Sequence, residues 1–189
     1  MAKNTLKVDL LIEILANKNK TYNVIQLANA LNKDYKNTYQ AIKELKDSLE
    51  ITKKTNSNEI KFKPTLTPEV YKAEYIRKTE LLEKPNLKNI QTDVEKTDEH
   101  CIVIIFGSYA KNTEKKNSDI DICIIHPEEK KLEEAESWLS LRTNIETHTF
   151  TTKQFKEMLN TVKHNVGHEI KNHGITIKNT ETFYEVMKP

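Results

Sequence analysis

Two aspartates one position apart, Asp119 and Asp121, are the residues of this chain best suited to chemistry. They lie in Ser118-Asp119-Ile120-Asp121, at the opening of the apolar run DIDICII. In a strand, alternate side chains share a face, so the two carboxylates are expected to project together. Side by side they repel one another and resist ionisation unless a cation lies between them. Hard oxygen donors at that spacing suit Mg²⁺ or Mn²⁺, ions usually held by a few carboxylates and substrate phosphates. A second element precedes them: the apolar run CIVIIF ends at Phe106 and passes at once into Gly107-Ser108, with Ser118 ten residues beyond Ser108. Glycine lets the backbone approach a ligand closely. The Ser108 hydroxyl and the amides after it can hold phosphate oxygens near a helix start. A phosphate grip and metal carboxylates on neighbouring strands together make a nucleoside-triphosphate site.

A third carboxylate is expected from Glu146, in Asn144-Ile145-Glu146-Thr147-His148. Period two puts Glu146 and His148 on one face and Ile145 and Thr147 on the other. Glu146 then either completes the metal triad or acts as base toward an incoming hydroxyl; alternatively the strand only exposes a polar face. Ser118 and Lys111 are read as nucleotide-binding. Lys111, Lys115 and Lys116, in the spacer between the two motifs, either neutralise a triphosphate or form a solvated loop. His164 and His168 stand four apart on an expected helix, but no third ligand follows at suitable spacing, so they read as an ordinary helix face with His173 near its end.

The pattern Gly-Ser, a spacer of about ten residues, then Asp-x-Asp, here GSYAKNTEKKNSDIDI, resembles the DNA polymerase β-like nucleotidyltransferase superfamily, and most nearly its minimal nucleotidyltransferases. The likeness covers roughly residues 86–178. One departure is Asn112, where small members commonly carry Gly; Asn tolerates a left-handed backbone better than most residues. The resemblance implies divalent ions held by Asp119 and Asp121, with Glu146 as third ligand or base, and phosphates held by Gly107 and Ser108. An acceptor hydroxyl would attack the α-phosphorus and pyrophosphate would leave. The implied substrate is an NTP, ATP first, and the acceptor a protein, an RNA end or a small molecule. Walker A and GxGxxG patterns are absent, which argues against a P-loop or dinucleotide fold.

Strands that carry such residues need helices to bury their other face. The three runs CIVIIF, DIDICII and NIETHTF are read as strands, with helices over about 86–98, 128–141, 151–160, 163–173 and 180–187. Trp138, Leu139 and Leu141 are read as core of the 128–141 helix. Strands interleaved with helices make this half a small α/β domain with a mixed sheet.

The N-terminal half reads differently. Leu6, Leu10, Leu11 and Ile14 mark a helix over 5–17, Val24 to Leu31 a second, and Asp34 to Ser48 a third. LEITKK, a TNSN turn and EIKFKP follow as a hairpin. Three helices and a hairpin is the order of a winged helix-turn-helix, which the stretch TYNVIQLANALNKDYKNTYQAIKELKD also resembles. That likeness implies DNA contacts from Lys33, Lys36, Asn37, Thr38 and Gln40 at the third helix, and from Lys53 and Lys54 with Lys61 and Lys63 at the wing. The other reading is a dimerisation or partner-binding module with a solvated lysine face. The expected architecture is α+β: residues 1–65 a winged helix-turn-helix, 66–85 a helical linker broken by Pro85, and 86–189 the nucleotidyltransferase domain.

The net charge of +2 conceals an asymmetry: residues 1–65 hold 12 Lys/Arg against 7 Asp/Glu, leaving 18 against 21 for the rest. Mean hydropathy is -0.70, and no run approaches the ~20 apolar residues of a membrane span. The N-terminus lacks the pattern of a secretion signal. Cys101 and Cys123 sit in apolar runs and read as buried free thiols in a reducing cytoplasm. The sequence therefore points to a cytoplasmic, metal-dependent nucleotidyltransferase, with a homodimer as one expected assembly. The competing reading is a transcription regulator or antitoxin-like protein whose nucleotide-binding domain does no chemistry.

Overall fold

The computed structural model describes residues 5–55, 57–139 and 144–188. The chain divides into two compact units, Met1–Ile76 and Arg77–Pro189.

In the first unit, α1 (Leu6–Leu15), α2 (Val24–Ala30) and α3 (Tyr35–Glu44) precede an antiparallel hairpin of β1 (Leu49–Lys53) and β2 (Asn58–Phe62). Local chemistry sets the helix starts. Asn23 and Gln26 form a reciprocal capping box on α2, and the Asp34 carboxylate accepts from the Asn37 N–H on α3. Leu10, Leu11, Ile14, Leu27, Ile42 and Ile60 are fully buried between these elements. At roughly 1.5–3 kcal/mol per buried aliphatic side chain, such a cluster is the main source of stability in so small a unit. Tyr22 pairs with Ile60 through two backbone bonds of 2.9 and 2.8 Å, adding a third extended segment beside the hairpin. Burial pushes the Tyr22 hydroxyl up to about 12. The boundary between the units falls within α4 (Pro68–Leu82).

In the second unit a turn of 3-10 helix at Pro85–Leu87 precedes α5 (Ile90–Glu95). One helix over 86–98 is expected from the sequence; Asn89 interrupts it, and Thr97 ends it with its hydroxyl donating to the Val94 carbonyl at 2.7 Å. Then follow β3 (Ile102–Ile105), α6 (Gly107–Ala110), β4 (Ile120–His126), α7 (Glu129–Leu139), β5 (Ile145–Thr151), α8 (Thr152–Asn160), α9 (Val166–His173), β6 (Ile175–Lys178) and α10 (Thr180–Val186). The sheet order is β5-β4-β3-β6. β3 is antiparallel to β4 and to β6, while β4 and β5 run parallel, so the sheet is mixed.

One face of this sheet, with Val103, Ile105, Ile120, Ile122 and Ile124, packs on Leu87, Ile90, Val94, Leu132, Ala135 and Leu139 of the 3-10 turn, α5 and α7. The alternate residues Ile102, Ile104, Cys123 and Ile125 are equally buried and face the other way, toward α8, α9 and α10. Both cysteines are free and buried, and burial raises their thiols. Trp138 departs from the expected core position: it is 43% exposed, with the Lys96 ammonium 5.4 Å from its ring centre. Leu139, next along the helix, takes the buried place. Leu141 lies outside the described residues. No helix among the described residues is long and apolar enough to cross a membrane.

Candidate active site

The site forms where β3 ends and β4 and β5 begin. The Phe106 N–H donates to the Asp121 carbonyl at 3.0 Å, extending the ladder one residue beyond β3. Gly107 follows with φ +63°, a left-handed backbone that favours glycine. A Cβ on Gly107 would lie 1.8 Å from Oδ2 of Asp121. The turn is thus packed against the carboxylate it faces, and this glycine is required on both grounds. Asn112, also left-handed at φ 53°, closes the next turn and accommodates the departure from Gly noted in the sequence.

The parallel register pairs Asp121 with Glu146, and two residues on pairs Cys123 with His148. Asp121, Glu146 and His148 each offer a ligand atom, all within 4.8 Å of one another. His148 Nε2 is 3.4 Å from Glu146 Oε1, and the ring meets Phe106 edge-on with centroids 5.3 Å apart. Asp119 lies just ahead of β4, whose ladder begins at Ile120; it is exposed and is not one of the three gathered residues. Strand alternation begins at Ile120, so Asp119 stands outside the pleat that directs Asp121.

Asp121 is half-buried, and burial above all raises its carboxyl from the usual range. The charges of Glu146 and Glu169 push the same way, while His148 and a bond from the Ser108 backbone N–H oppose them. An acidic group held up by desolvation and like charge is one that a cation relieves. Two carboxylates and an imidazole converge here, with the Gly107 backbone against one of them. The donor set therefore fits a divalent metal.

The spacer loop is tied down by residues that the motif does not include. Lys84 Nζ donates to Glu114 Oε1 at 2.6 Å, to Asn112 Oδ1 at 2.8 Å and to the Tyr109 carbonyl at 3.3 Å. The Lys84 bond holds the Glu114 carboxyl below its ordinary range. Ser118 Oγ accepts from the Lys115 N–H at 2.9 Å, so this hydroxyl is engaged in closing the loop. Lys111 pairs with Glu169 of α9 at 2.8 Å. Lys115 and Lys116 are exposed. Lys84 and Glu169 escape sequence reasoning because they stand 25 or more residues from their partners, with no local pattern linking them.

In the first unit, Lys33, Lys36, Asn37, Gln40, Lys53 and Lys54 are exposed. Asn37 is partly engaged, its amide donating to Asp34 at 2.6 Å. Thr38 is a correction: it is fully buried, and its hydroxyl donates to the Asp34 carbonyl at 2.8 Å. Four residues past the cap it faces inward, so it steadies the start of α3 and offers nothing to a duplex.

A mixed sheet clad by helices, with acidic side chains gathered at one end of adjacent strands, is the frame of a small α/β nucleotidyltransferase domain. Residues 88–182, half of the chain, match the family described as Polymerase beta, Nucleotidyltransferase, and the chain belongs to that family. No curated protein and no solved structure matches the chain.

Proposed function

We propose that this protein is a metal-dependent enzyme that moves a nucleoside monophosphate from an NTP, ATP first among them, to an acceptor hydroxyl. The observation that carries the proposal is the packing of the Gly107 backbone against Asp121, with Glu146 beside it on the next strand. Asp121 and Glu146, joined by Asp119 from the mouth of the strand, would hold Mg²⁺ or Mn²⁺. Such ions, when bound, neutralise phosphate charge and favour in-line displacement. The Ser108 N–H orients Asp121, which leaves the Ser108 hydroxyl for a phosphate oxygen. Lys111, now held by Glu169, is the cation of the motif assigned to the outer phosphates. As the acceptor oxygen bonds to the α-phosphorus, its proton passes to solvent or, in the alternative role of Glu146 as base, to that exposed edge-strand carboxylate. The bond to the leaving pyrophosphate then breaks, and pyrophosphate carries off the displaced charge.

The first unit, with three helices and a hairpin, is proposed to be a winged helix-turn-helix that places the enzyme on DNA through Lys33, Lys36, Gln40, Lys53 and Lys54, or on a protein partner. The test uses each α-labelled NTP with Mg²⁺ or Mn²⁺, a cell lysate as acceptor source, and an Asp119→Asn, Asp121→Asn double variant as control. Label transfer by the wild type alone supports the enzyme and identifies its nucleotide. NTP binding without transfer would move the reading to a regulator with a non-catalytic domain.

A further inference from the structure

Nucleotide transfer by carboxylate-held ions does not need an imidazole, yet one completes the group of donors. His148 Nε2 lies 3.4 Å from Glu146 Oε1, and all three donor atoms fall within 4.8 Å. The ring is not a loose surface group. It is carried by a strand in register with β4, is 29% exposed, and is braced edge-on by Phe106 at 5.3 Å. Phe106 is itself buried and belongs to the turn that positions Gly107. Strand register, aromatic brace and carboxylate pair thus direct one imidazole nitrogen at the place where the carboxylates converge.

We propose that His148 is a metal ligand, and that this ligand tunes the site toward Mn²⁺ over Mg²⁺. The inference rests on the reading of Asp121 and Glu146 as metal-holding residues and adds to it the identity of the ion. Mg²⁺ takes oxygen donors almost exclusively and keeps strict octahedral geometry. Imidazole suits first-row transition ions, and among these Mn²⁺ is also at home with carboxylates and phosphate oxygens. By donor chemistry, replacing one oxygen donor with an imidazole therefore favours Mn²⁺ over Mg²⁺ at this site. The plain alternative is that His148 is only a cationic neighbour of Glu146, holding that side chain by an ion pair.

The experiment uses the full chain with the metal alone. Mn²⁺ binding is followed by loss of the free-ion electron paramagnetic resonance signal, Mg²⁺ binding by titration calorimetry, and the bound Mn²⁺ is examined by electron spin-echo modulation for a coordinated nitrogen. Wild type is expected to bind Mn²⁺ at least roughly tenfold more tightly than Mg²⁺ and to show ¹⁴N modulation. His148→Gln is expected to lose the modulation and most of the Mn²⁺ preference, while Mg²⁺ affinity changes less than about twofold. Bound Mn²⁺ without nitrogen modulation in the wild type overturns the proposal, as does a His148→Gln variant that weakens both ions equally. Asp121→Asn separates the two levels. If it abolishes binding of both ions while His148→Gln alters nothing, only the ligand role of His148 fails. If the wild type binds neither ion, the underlying metal site fails with it.

Discussion

Gly107 and Asp121 occupy one space between them: the side chain that Gly107 lacks would stand 1.8 Å from the Asp121 carboxylate oxygen. Gly107→Ala must therefore displace either the turn or the carboxylate. The left-handed backbone alone costs a side chain about 1–2 kcal/mol, which denaturant unfolding should register. Displacing a reactive group by about 1 Å lowers rates by roughly 100-fold. The substitution is thus expected to reduce nucleotide transfer far more than stability. An active, merely destabilised variant would show that the contact is structural only.

Asp121 is desolvated and faces Glu146 and Glu169. With metal removed by EDTA, Asp121→Asn should relieve this repulsion and raise the thermal midpoint by a few degrees, about 1 kcal/mol, while transfer falls to background. Calorimetry with and without divalent ions checks the sign. Added metal is expected to stabilise the wild type and leave the variant unchanged.

The spacer loop should respond to pH through Glu114. Its carboxyl is held low chiefly by the bond from Lys84. A group whose pKa is lower folded than unfolded contributes stability above the unfolded value, lost as pH falls through the folded one. Urea unfolding across the acid range should therefore show wild-type stability declining below about pH 4.5. Lys84→Met should flatten that part of the decline. Equal slopes in the two proteins would remove the Lys84–Glu114 bond from the account.

If the first unit binds DNA, its lysines and Thr38 separate cleanly. Lys33→Ala with Lys36→Ala should leave unfolding unchanged but lower the salt slope of DNA binding by about 2, one per phosphate contact. Thr38→Val removes a buried bond to the Asp34 carbonyl and should cost about 1 kcal/mol of stability. Binding that is indifferent to the lysines would point to the partner-binding reading.

Most of the elements were legible because their signals are local. The helix starts follow from caps such as Asn23 with Gln26 and Thr151 with Gln154, and the central strands from continuous isoleucine-rich runs. β6 was not legible. Ile175–Lys178 is four residues following α9 directly, and its identity as a strand comes from pairing with β3, some 70 residues earlier. Gly174 makes the abrupt exit feasible, since a side chain there would meet the Ile170 carbonyl at 2.5 Å. The site was half legible. Period two placed Glu146 and His148 together, but which residue of β4 they face depends on the register of a parallel pair, a long-range choice. Thr38 misled for a related reason: its position early in α3 suggested exposure, and the packing of the helix decided against it.

That register has a consequence for how this sequence can change. Sliding β5 by two residues along β4 returns every side chain to its own face and preserves the pleat, but it would set His148, not Glu146, opposite Asp121. Among the apolar residues that slip is felt at Ile145, whose place against the core Thr147 would take, whereas the donor set is lost altogether. Alignment of one edge strand is thus a separate inherited trait, and variants could accumulate that fold as well as their parent while having lost the geometry for chemistry.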